Sequence, residues 1–135
     1  MKCPHKAHVA LVDGERFVLA RNDGQPFEPK LSVVATPSLE TTNYSAGVRD
    51  QDDVGRRSGS SDLEELAHAA AVTEWLNGQA LDGKLGELIV IADPKSLGEM
   101  RRHYHKELQA CLIGEIDKAI ANEDLEAVGQ AIARA

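Results

Sequence analysis

The run Leu88-Ile89-Val90-Ile91-Ala92 constrains the fold more than any other part of this chain. Five consecutive apolar residues show neither the alternation of a half-wetted strand nor the length of a helix, so they read as a strand buried on both faces. Such a strand belongs in the middle of a sheet, with helices packed above and below it. The rest of the chain must therefore supply neighbouring strands and the helices that cover them.

It does so in order. Residues 7–12 and 16–21 are apolar, β-rich runs flanking Asp13-Gly14, a dipeptide that signals a hairpin. Asn22-Asp23-Gly24-Gln25-Pro26 forms a second turn cluster, after which residues 30–36 read as the third strand of a meander, closed by Pro37. Ser61-Asp62-Leu63-Glu64 reads as a capping box and opens a helix with Leu66, Ala69, Ala70, Thr73, Leu76 and Ala80 at three- and four-residue spacing. Asp93-Pro94 supplies an N-cap and a first-turn proline for a second helix carrying Leu97, Met100 and Tyr104, bent or broken on its way to Leu108. Residues 112–117 fit an outer strand, and Leu125, Val128 and Ile132 define a terminal helix with Asn122 as its cap.

A right-handed crossover through the first helix sets Leu88–Ala92 parallel to and beside residues 7–12. The expected architecture is an α/β domain over residues 1–135 with a mixed five-stranded sheet of order 3-2-1-4-5. It combines a three-strand antiparallel meander, two further strands and about three helices, which is the ribonuclease H-like topology.

A chain of 135 residues buries one core without disulfides or metals, and the longest apolar run is far too short to cross a bilayer. The opening Met1-Lys2-Cys3-Pro4-His5-Lys6 lacks the apolar region of a secretory signal, so a cytoplasmic address with reduced Cys3 and Cys111 is expected. No nucleophile elbow, phosphate-binding loop or dinucleotide fingerprint occurs, and no cofactor is expected. The net charge of −7 repels nucleic acid as a whole, so phosphate binding would need a local basic patch.

Two such patches exist. The first lies in a polar stretch at residues 40–60, longer than a compact domain tolerates without a functional reason. Arg49, Arg56 and Arg57, with Ser58 and Ser60 beside the unpaired amides of a helix start, are candidate anion or nucleic-acid contacts, opposed by the nearby charges of Asp62, Glu64 and Glu65. The second comprises Lys95, Arg101, Arg102 and Lys106, with His103 and His105 between them.

Asp13 near the first strand, Glu65 in the first helix and Asp93 after the central strand offer a rival chemistry, because converging carboxylates can hold magnesium for phosphodiester hydrolysis. Each local setting also has a structural reading: Asp13 in the hairpin turn, Glu64 next to Glu65 in the capping box, Asp93 as a helix cap. Cys3, His5, His8, His103 and His105 match no zinc spacing, so no metal is expected there. Cys111 reads as a small core residue, and Trp75 as an extension of the core or a partner contact.

Taken in order, the hairpin around Val12-Asp13-Gly14, Gly55-Arg56-Arg57-Ser58, the strand exit from Leu88 to Asp93-Pro94, Leu97-Gly98-Glu99-Met100-Arg101, His105-Lys106-Glu107-Leu108 and Ile113-Gly114-Glu115-Ile116-Asp117-Lys118 resemble the bacterial host-attachment protein family. That family is similar in turn to the middle domain of archaeal and eukaryotic class I release factors and of Pelota. The resemblance implies a ribonuclease H-like domain working at the ribosome, with the ribosome or tRNA as partner.

In the release factors the loop before the first long helix carries Gly-Gly-Gln, which acts at the peptidyl-tRNA ester. This chain has no Gly-Gly pair there, and Gln51 stands upstream of Gly55, so no catalytic residue carries over. The expected function is a non-enzymatic RNA- or ribosome-associated or adaptor domain. The alternatives are a hydrolase acting on peptidyl-tRNA ester or RNA phosphodiester, and a protein-binding module that forms homodimers through an exposed sheet edge.

Overall fold

The computed structural model describes residues 1–39 and 60–135, with side chains from residue 62 onward in the second stretch. Five strands, β1 (His8–Val12), β2 (Phe17–Asn22), β3 (Leu31–Ala35), β4 (Leu88–Ala92) and β5 (Leu112–Asp117), form one sheet in the order β3-β2-β1-β4-β5. The helices are α1 (Ser60–Leu81), α2 (Pro94–Arg101), α3 (Lys106–Cys111) and α4 (Leu125–Arg134).

β4 is buried at all five positions, as its uninterrupted apolar run requires. It pairs parallel with β1, His8 opposite Leu88 through Val12 opposite Ala92, and parallel with β5 on its other side. β1 and β2 are antiparallel, as are β2 and β3, so the meander and the crossover stand as the sequence predicts.

Alternation along the central strands feeds two cores. Ala10, Val12, Leu88, Val90 and Ala92 pack with Val72 and Leu76 of α1, Leu97 and Met100 of α2, and Leu108 of α3. Val9, Leu11, Ile89 and Ile91 pack on the opposite face with Cys3 and with Val128 and Ile132 of α4. Each fully buried Leu or Ile contributes about 1.5–3 kcal/mol relative to exposure. On α1, Ala67, Ala69, Ala70 and Ala71 are buried, and their small side chains let the helix backbone approach the sheet. Trp75 meets Phe17 edge-on with ring centroids 5.4 Å apart and extends the first core.

Several boundaries differ from expectation. α1 begins at Ser60, so Ser61 lies inside the helix and not at its N-cap. The second helical stretch is broken: α2 ends at Arg101, Tyr104 lies outside it, and α3 restarts with His105 as N-cap, its Nδ1 accepting the Glu107 N–H at 3.0 Å. α4 is capped by Asp124, which accepts the Ala127 N–H at 2.7 Å. Asn122 does not cap it, because a turn closed by Glu123 N–H to the Ile120 carbonyl intervenes. β1 starts at His8, since Lys6 adopts a left-handed φ of 68° and turns the chain just before it. The predicted polar connection at 40–60 lies outside the described residues except for the backbone of Ser60. Among the described residues, no helix is long and apolar enough to cross a membrane.

Candidate functional site

β1 and β4 lie side by side and parallel, yet the chain leaves them in opposite directions, from β1 to β2 and from β4 through α2 and α3 to β5. Such divergence opens a crevice outside the carboxyl ends of the strands, where α/β sheets commonly bind ligands. Here it is a cleft of about 440 Å³ lined by Asp13, Gly14, Glu15 and Arg16 of the hairpin turn, Glu65 of α1, Asp93 after β4, and Ala119, Ala121 and Asn122. All three carboxylates singled out in the sequence meet in this one cleft.

Local bonds occupy each of them. Asp13 Oδ1 accepts the N–H groups of Glu15 and Arg16 at 2.8 and 2.6 Å, closing the hairpin turn, and its carbonyl bonds His68 Nδ1 at 2.9 Å. Asp93 Oδ2 accepts the Ser96 N–H at 3.1 Å and caps α2, while its Oδ1 is buried without a hydrogen-bond partner. Glu65 lies over Gly14, and its Oε2 is 3.2 Å from Lys95 Nζ, which also bonds Asp62 one turn earlier. Burial opposes the Lys95 charge, but its bonds to Asp62 and Glu65 outweigh burial and raise its pKa. Among the described residues, no three histidine, cysteine or acidic side chains converge where a metal ion would sit.

Three of the four cations of the second basic patch, all but Lys106, pair with acids of the fold. Lys95 joins α2 to α1, Arg101 grips Glu115 of β5 at 2.8 and 3.1 Å, and Arg102 reaches Glu99 at 3.4 Å. Glu99 is almost fully buried, and His103 Nε2 sits 2.7 Å from its other oxygen. Burial raises the Glu115 pKa, but bonds from Arg101 and from the Tyr104 hydroxyl at 2.7 Å overcome it and hold the carboxyl below its ordinary range. Burial, then the Glu115 contact, pushes the Tyr104 phenol up. Burial likewise raises both Cys3 and Cys111, which are therefore not activated thiols. Arg49, Arg56, Arg57 and Ser58 of the first patch lie outside the described residues.

Two features escaped the sequence reading. Asn22, fully buried, donates to the carbonyls of Cys3, Pro4 and Gln25 and accepts from the N–H groups of Gly24 and Lys30, so it ties the N-terminal strap to the β2–β3 connection. The other is a second groove of about 520 Å³ between that connection and α4, which brings Phe27 to Leu31 next to Leu125 to Ala133. The sole signal for it was an aromatic residue directly after a turn cluster.

No individual curated protein matches the chain. A family model does, that of the bacterial archaeo-eukaryotic release factor family 12, over residues 6–132, from the strap before β1 into α4. With its sheet order and crossover helix matching the topology expected for a release-factor middle domain, the chain belongs to the bacterial archaeo-eukaryotic release factor family 12.

Proposed function

We propose that this chain is a translation-associated binding domain of the cytoplasm that contacts the ribosome or tRNA and does not itself catalyse a reaction. The observation that carries this reading is the release-factor family match across residues 6–132. The engagement of Lys95, Arg101 and Arg102 with Asp62, Glu65, Glu115 and Glu99 adds to it, because it turns attention to Arg49, Arg56 and Arg57, with Ser58 and Ser60, as the basic contacts for phosphate. The likeness to host-attachment proteins is read as a label for the same domain, through an indirect effect on attachment.

The test is sedimentation of the tagged protein through a ribosome profile, with the Arg56→Ala/Arg57→Ala variant beside it across a salt series. The expected result is co-sedimentation that weakens with salt and is reduced in the variant, since each lost phosphate contact lowers the salt slope by about one. Unchanged binding and slope in the variant would remove these arginines from the interface.

A second reading, hydrolysis of an RNA phosphodiester or of the peptidyl-tRNA ester, draws on one observation: Asp13, Glu65 and Asp93 line a single cleft. The structural bonds that each already makes weigh against it. Titration with Mg²⁺ or Mn²⁺ tests it, and turnover abolished by Asp93→Asn, which keeps a capping oxygen while removing charge, would favour it. No change in melting temperature or in RNA integrity on adding either ion ends that reading.

A further inference from the structure

We draw no further inference here: the strongest candidate, the cleft at the carboxyl ends of β1 and β4 where Asp13, Glu65 and Asp93 meet, belongs to the site already described, and the unpartnered Oδ1 of Asp93 is closed off from solvent there and so points to no ligand.

Discussion

Glu65 lies across Gly14 so closely that a Cβ at position 14 would come within 2.6 Å of the Glu65 Cγ. The absent side chain in the hairpin turn is what lets a carboxylate from α1 rest over the carboxyl ends of β1 and β4, within reach of Lys95. Gly14→Ala therefore displaces Glu65. The displaced atoms belong to a flexible side chain, so the direct cost is less than about 1 kcal/mol. The informative measurement is a cycle of urea unfolding on wild type, Gly14→Ala, Lys95→Met and the double variant. Lys95→Met costs less in the Gly14→Ala background, because part of its partner set has already moved; additivity of the two changes contradicts the contact.

Lys95 spans Asp62 and Glu65 and thereby fastens the first two turns of α1 to the first turn of α2. All three side chains are substantially exposed, so the pairs are modest despite their number. Lys95→Met lowers stability by about 0.5–1 kcal/mol at low ionic strength, and the difference shrinks in 1 M salt, where the screening length is about 3 Å. Thermal melts at two salt concentrations check this. A penalty that persists undiminished at high salt assigns Lys95 a packing role of its stem in place of an electrostatic one.

How far the fold was legible from sequence follows from the kind of signal each part leaves. β4 announces itself because burial on both faces removes every polar residue from it, and the hairpin because its turn dipeptide lies between two apolar runs. The cap of α4 was misplaced by two residues: Asn122 and Asp124 are chemically equivalent caps, and only the turn at Ile120 to Glu123 decides between them. Asp13 and Asp93 were identifiable as carboxylates at strand ends and Glu65 as one in the first helix, and they do share a cleft. The turn role of Asp13 and the cap role of Asp93 were legible from their local sequence, whereas the Glu65–Lys95 contact was not, because Lys95 reaches Glu65 from a helix whose placement depends on the crossover. The Phe27 groove left almost no trace, since its walls are separated by about a hundred residues and the period of α4 marks its buried face, not the groove beside it.

The Asn22 side chain makes five hydrogen bonds and has no exposure, so its removal takes a partner from the carbonyls of Cys3, Pro4 and Gln25 and from the N–H groups of Gly24 and Lys30 in a water-poor setting. Asn22→Ala is expected to cost about 2–4 kcal/mol in urea unfolding, toward the upper end for a single polar deletion. Asn22→Asp does not rescue it, because the three carbonyls that received the amide N–H groups then face a carboxylate. A loss below about 0.5 kcal/mol in both variants contradicts the role of this residue as the strut of the strap.

His8 stands on β1 with Arg21 opposite it on β2, and its Nδ1 is buried without a hydrogen-bond partner. Burial first, and the Arg21 charge second, lower its pKa below the ordinary 6.5. The folded protein thus favours the neutral ring, and the unfolded chain binds the extra proton more readily. The stabilising contribution is complete above pH 6.5 and is lost as pH falls from there through the lowered folded value. Glu115, held below its ordinary 4.5 by Arg101 and Tyr104 despite burial, begins to be lost only below pH 4.5, so the two effects set in at different points along the pH axis. Melting temperature measured from pH 7.5 to 3 should fall in two stages. His8→Phe removes the upper stage and leaves the lower, whereas Glu115→Gln removes the lower alone; an upper stage that survives His8→Phe refutes the assignment to this imidazole.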